Sequence, residues 1–158
     1  MDPAYQESRM VLPKNLTIIM SLVLIATWAF MIVYQYMYAP EESMAWTFGV
    51  GAAFLAVIII AFLMRFTIKV YDDRIEFFYI FKTTIVKKED IIDTKSGELN
   101  IIKSYTPWSL KGTRYTTCSA VGEEMGVGMK LKGKKVYYLS TTDPDAIMAL
   151  LPKKTAEE

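Results

Sequence analysis

From Leu16 to Met64 charged positions disappear except at one short break. Leu16–Tyr34 is a run of 19 residues without a charge, Met44–Met64 is a second of 21, and Tyr38-Ala-Pro-Glu-Glu-Ser43 separates them. A helix rises 1.5 Å per residue, so about 20 apolar residues cross a bilayer core. The two runs therefore predict membrane-spanning helices over 16–37 and 44–65, joined by a turn that forces immediate return. Neither offers water a polar face, which sets them apart from the helices of a soluble bundle. The first run is longer than a signal-peptide core and ends in Tyr34, Tyr36 and Tyr38 instead of the small residues of a cleavage site. Residues 1–15, polar and carrying Pro3 and Pro13, are expected to form a loosely ordered lead-in.

After the second run the period changes to two. Phe66–Tyr71 and Arg74–Phe81 alternate around Asp72-Asp73 and predict a hairpin. Thr83–Lys87, an interrupted segment over Ile91–Ile102, and Arg114–Ala120 read as further strands, with Ser104–Lys111 as a loop around Pro107. Gly126–Lys132 and Lys135–Ser140 flank Gly133-Lys134, which suits a two-residue turn with glycine at positive φ. Thr142-Asp-Pro-Asp145 opens a helix: Asp143 is the N-cap, Pro144 the first helical residue, and Asp145 complements the dipole. Ile147, Leu150 and Leu151 give it one apolar stripe, and Pro152 ends it. Six or seven short, mainly antiparallel strands and a C-terminal helix predict a small barrel or sandwich, built up-and-down and capped by that helix.

Composition narrows the chemistry. The 158 residues include no histidine and one cysteine, Cys118. Without histidine the usual general base at neutral pH and the commonest transition-metal ligand are missing. A single thiol excludes an intramolecular disulfide framework. From Thr67 onward 15 Lys or Arg face 13 Asp or Glu, a balance of +2 that gives no sign of nucleic-acid binding. Asp72-Asp73, Glu89-Asp90 and Glu123-Glu124 are sequence neighbours, and neighbours on a strand point to opposite faces, so none forms an acid/base pair. The expectation is a protein with no catalytic residues, no metal and no cofactor. Arg9, Lys14, Arg65 and Lys69 flank the two runs, so the positive-inside rule puts both termini in the cytoplasm of a cell (inner) membrane protein.

Three stretches carry a family resemblance: Val70-Tyr-Asp-Asp-Arg-Ile75, Gly112-Thr-Arg114, and Gly126–Asp145 together with Leu150. They resemble the opening hairpin, the Gly-apolar-Arg strand start and the closing hairpin-cap-helix of bacterial pleckstrin-homology-like (PH-like) domains in small membrane-anchored proteins. Thr113 stands where that pattern has an apolar residue. The resemblance covers residues 66–152 and implies a fold, with no enzymatic activity and no settled ligand. The chain then divides into a lead-in (1–15), a helical hairpin (16–65), a PH-like domain (66–152) and a polar tail (153–158).

Two surfaces of the domain and one of the helices are candidate contact sites. Lys130, Lys132, Lys134 and Lys135 form the densest basic patch, able to attract anionic headgroups or to protect a strand edge as solvated lysines. Trp108 and Tyr105, with Tyr115, surround the Pro107 loop as interface anchors or as part of the core. On the second helix Gly49/Ala53 and Ala52/Ala56 are small-xxx-small pairs, expected to pack against the first helix or to support a homo-oligomer. The leading expectation is a non-enzymatic integral membrane protein whose PH-like domain binds a protein partner or lipid headgroups. The alternative is a structural subunit that assembles with other membrane helices.

Overall fold

The computed structural model describes residues 2–109 and 111–152; the polar tail, 153–158, lies outside the described residues. The chain divides into a helical unit, Leu12–Met64, and a second unit made of the residues on either side of it.

In the helical unit, α1 (Lys14–Tyr38) and α2 (Ala45–Leu63) are both long and apolar enough to cross a membrane. Their least exposed positions fall on two seams, Thr17, Ser21, Leu24, Trp28, Met31 and Gln35 on α1, and Thr47, Gly51, Phe54, Ile58 and Ala61 on α2. Both advance by alternating steps of four and three, the spacing of a left-handed coiled-coil seam. Gly51 is the close-approach residue, because a Cβ there would run into the Trp28 indole. The Trp28 Nε1–H donates to the Thr47 carbonyl at 3.0 Å, leaving no indole donor unpaired deep in the apolar segment. Near the turn the Thr47 hydroxyl donates to Gln35 Oε1, and Gln35 Nε2 donates to the Ser43 carbonyl at 3.2 Å. Thr17 and Ser21 return their hydroxyls to the carbonyls of Pro13 and Thr17.

In the other unit, β1 (Tyr5–Met10), β2 (Arg65–Val70), β3 (Arg74–Ile80) and β4 (Lys82–Lys87) form one sheet in that order. The 1–15 segment is thus no loose lead-in: its residues 5–10 form an edge strand. β1 pairs antiparallel with β2 from Tyr5↔Val70 to Met10↔Arg65, spanning the whole helical unit in sequence. Its inward side chains are Tyr5, Glu7 and Arg9, which explains the missing hydrophobic signature. They are held by polar contacts instead. Glu7 accepts from the Thr141 and Thr142 hydroxyls at 2.6 and 2.9 Å and from the Thr142 N–H at 3.2 Å. Arg9 pairs with Glu123 at 2.6 Å and Glu7 at 3.4 Å, donates to Ser140 Oγ, and lies 5.8 Å over the Phe66 ring.

The second sheet has the order β5 (Ile91–Glu98), β7 (Met125–Leu131), β8 (Lys135–Ser140), β6 (Arg114–Cys118). Here the up-and-down expectation fails: β6 runs parallel to β8, from Arg114↔Lys135 to Cys118↔Leu139. The chain returns from β6 to the far side of β8, so a local hairpin cannot join them. No ladder joins the two sheets among the described residues. Phe66, Ile68, Val70, Ile75, Phe77 and Val86 are the buried face of the first sheet, and Phe77 meets Tyr137 of the second at 5.3 Å between ring centroids.

The other face of the second sheet is covered by α3 (Leu99–Lys103) and a 3₁₀ turn over Thr106–Trp108. The extended reading of Ile91–Ile102 therefore stops at Glu98. Leu99 and Ile102, three apart, turn inward onto Val136 and Tyr138. Gly128 makes room for them, since a Cβ there would stand 2.7 Å from the Trp108 ring and 2.8 Å from Ile102. The final helix, α4 (Pro144–Leu150), packs over β5 and β7, and Asp143 caps it by accepting from the Ala146 N–H at 3.0 Å.

Two predictions test this assembly. Met10 and Arg65 stand opposite each other, so a short glycine-rich turn replacing Leu12–Met64 is expected to give a soluble, cooperatively unfolding domain. The same domain without residues 2–11 is expected to lose cooperative unfolding, as followed by circular dichroism. Burial works to raise the Glu7 pKa, but the Thr141 and Thr142 hydrogen bonds and the Arg9 charge prevail and hold it below the ordinary 4.5. A carboxylate with a lowered folded-state pKa stabilises the fold above its unfolded pKa, and that contribution fades as pH falls through the folded value. In that domain Glu7→Gln should therefore cost about 1–3 kcal/mol at neutral pH, with the gap to the parent narrowing below about pH 4.5, measured by urea unfolding across pH.

Candidate functional site

The aromatic loop that reads as a contact surface in the sequence is a core element in the structure. Trp108 is 1% exposed. Its Nε1–H donates to Asp93 Oδ2 at 3.0 Å, and its carbonyl accepts from the Tyr115 hydroxyl at 3.1 Å. Tyr105 meets it edge-on at 5.5 Å, and Tyr115 stacks on Tyr138 at 6.3 Å. Tyr105 is half-buried beneath Lys95, whose Nζ sits 3.2 Å from the ring centroid. Trp108 is thereby withdrawn from any surface, while the exposed edges of Tyr105 and Tyr115 remain outside. Pro107 directs the 3₁₀ turn that folds the indole inward, and the Leu99/Ile102 spacing was the sequence signal for it.

The four lysines separate by environment. Lys130 is half-buried on β7, in register with Asp93. Lys132, Lys134 and Lys135 are exposed around the β7–β8 turn. That turn holds three residues, Lys132-Gly-Lys134, instead of two, because Leu131 pairs with Lys135. Gly133 and Lys134 take φ of +79° and +60°. Lys134 is fixed there by two contacts: its carbonyl accepts from the Arg114 N–H at 2.8 Å, and its Nζ donates to the Lys111 carbonyl at 3.3 Å.

The location of this turn within the β unit matters more than its charge. The Lys132 N–H donates to the Asp90 carbonyl at 2.9 Å, and the Lys88 N–H donates to the Asp73 carbonyl at 2.9 Å. Asp73 lies in the β2–β3 turn, at the end of β2 remote from Arg65 and hence from the residues that continue into α2. The basic turn is thus linked to the end of the domain away from the helical connections. Asp90 is hydrogen-bonded to the turn, and Glu89 and Asp73 are one step further along the same links, so acidic residues belong to this end as well as lysines. Glu123 belongs to the Arg9 ion pair.

On α2 the structure separates the small residues into two classes. Gly51 faces α1, whereas Gly49, Ala52, Ala53 and Ala56 are exposed, and a Cβ on Gly49 would meet nothing within 4 Å. The expectation that the Gly49/Ala53 and Ala52/Ala56 pairs pack against α1 is corrected accordingly. At 100° per residue Gly49, Ala53 and Ala56 lie about 200° around the helix from the Thr47–Gly51–Phe54 seam.

Cys118 is buried, and burial pushes its thiol up to about 11, with Lys82 pulling only weakly in the opposite direction. It is an unreactive thiol. Among the described residues no three His, Cys, Asp or Glu gather as a metal site.

In the full chain, Trp108→Ala is expected to cost about 3–5 kcal/mol, while Lys132→Glu, Lys134→Glu and Lys135→Glu should each stay within about 0.5 kcal/mol, read from chemical unfolding followed by fluorescence. Cys118 is expected to resist maleimide in the folded protein and to react once denatured. Comparisons of the chain with protein-family models, curated proteins and solved structures find no match.

Proposed function

We propose that this chain is a non-enzymatic, membrane-anchored binding module. Two spans hold a PH-like domain at the cytoplasmic face of a cell (inner) membrane, where it contacts a protein partner. The observation that carries the reading is the β1–β2 ladder. Residues 5–10 and 65–70 hydrogen-bond in one sheet although two candidate spans separate them, which requires both flanks to lie on one side of a bilayer. The folded domain is assembled from both flanks and cannot stray from the helices. Lys14, Arg65 and Lys69 adjoin the apolar runs and favour the cytoplasmic side.

Protein contact is favoured over headgroup capture for the Lys132–Lys135 turn. Charge attraction to a membrane fades within a Debye length, about 8–10 Å, and this turn belongs to the domain end away from the helical connections. A rigid three-residue turn carrying exposed lysines suits an acidic protein surface. The PH-like assignment draws on the strand-strand-helix ending over 125–150, with its Asp143 cap; the parallel β6–β8 pair departs from the up-and-down form expected of it.

A second reading has its own observation. The Gly49, Ala53 and Ala56 face of α2 is turned away from α1, as a structural subunit that assembles with another membrane helix would require.

Topology is tested in a Cys118→Ser background with an impermeant maleimide on intact cells. Glu41→Cys should label and Gly133→Cys should not; the reverse pattern overturns the orientation. Function is tested by cross-linking capture with the full chain. Partners lost on combined reversal of Lys132, Lys134 and Lys135 support the binding module. Partners indifferent to reversal but lost with Gly49→Leu and Ala53→Leu support the structural subunit.

A further inference from the structure

We infer that the end of the β unit formed by the β3–β4 turn and the Ser119–Glu123 loop rests in the headgroup region of the bilayer, with Phe81 and Val121 as interfacial anchors. The inference rests on the reading that α1 and α2 span a membrane.

Chain connectivity places this end. Only Met64 separates α2 from β2, and only 11–13 separate β1 from α1. At a maximum of about 3.5 Å per residue these connections cannot lift Met10 and Arg65 more than about 14 Å from the helix ends. Strand register then brings other residues to the same level. Ile80 pairs with Arg65, and Arg65 with Met10, so the turn after Ile80 projects past the very residues that continue into the helices. The Val121 N–H donates to the Val11 carbonyl at 2.7 Å, and the Tyr79 hydroxyl donates to the Ser119 carbonyl at 3.3 Å. These two bonds fix the Ser119–Glu123 loop at that end.

The side chains there are unusual for water. Phe81 is 67% exposed and Val121 49% exposed. Ile80, directly before Phe81 in the turn, adopts φ +60°, a conformation costly for a β-branched residue. Arg65 and Lys82 are exposed alongside. An aromatic ring and an aliphatic tip flanked by two cations match the headgroup layer, where apolar groups reach the acyl boundary and cations meet phosphate.

The test uses the full chain in the Cys118→Ser background, reconstituted into phosphatidylethanolamine/phosphatidylglycerol vesicles. Single cysteines at Phe81, Val121, Lys132 and Ile25 carry an environment-sensitive fluorophore, and lipids with nitroxide at shallow or deep acyl positions quench it. The first two sites are exposed, so labelling does not disturb the core. Expected are blue-shifted emission and several-fold stronger shallow quenching at Phe81→Cys and Val121→Cys than at Lys132→Cys, with deep quenching at Ile25→Cys. Deep quenching at Ile25→Cys with Phe81→Cys and Val121→Cys no more quenched than Lys132→Cys overturns the inference alone. Absence of quenching at Ile25→Cys overturns the membrane-spanning reading, and this inference falls with it.

Discussion

The pairing of β1 with β2 is the constraint on which the rest of the chain depends. It joins residues 5–10 to residues 65–70 across the entire helical segment, so the sheet is complete only when both flanks of that segment meet. Its cohesion is largely electrostatic. Glu7 and Arg9 are 14% and 16% exposed in their side chains, and between them they engage Thr141, Thr142, Ser140 and Glu123. Buried charges of this kind contribute little unless their partners are all present, and then removal of one partner leaves the other stranded. The N-terminal strand is thereby tied to the start of α4 and to the β6–β7 loop, elements more than 110 positions away in sequence.

The same logic orders the domain's two ends. The ion-paired end holds Glu123, Arg9, Phe81 and Val121, and it contains both connections to the helices. The other end holds the Asp72-Asp73 turn and the lysines around Gly133. On the proposed reading, one end of the domain meets a lipid surface and the other a partner in solution. Its interior, in which Trp108 fills the space that Gly128 leaves open, serves as scaffold.

In the helical unit, packing and surface use different small residues. Trp28 requires Gly51, because the indole occupies the place of a Cβ. The alanines beside it are free of that contact. Spacing singled out Gly49/Ala53 and Ala52/Ala56 and passed over Gly51, and hydropathy could not separate them, since both faces are apolar. Only the rotation of α2 against α1 distinguishes the seam from the outside.

Local physics accounts for what the sequence determined by itself. Two charge-free runs of helical length, the Asp143 cap with Pro144, the hairpin around Asp72-Asp73 and the positive-φ glycine at 133 are each written within a few neighbouring residues, and each is present. Tertiary structure decided the rest. β1 was illegible because its inward face is Tyr, Glu and Arg, whose burial depends on partners supplied by distant segments. The parallel β6–β8 pair was illegible because register between non-adjacent strands leaves no periodic trace. Trp108 turned from surface candidate to core because the Gly128 gap that admits it lies 20 residues away. Lys132, Lys134 and Lys135 kept their exposure, but which end of the domain they occupy follows from hydrogen bonds between Lys132 and Asp90 and between Lys88 and Asp73, contacts that no spacing in the chain announces.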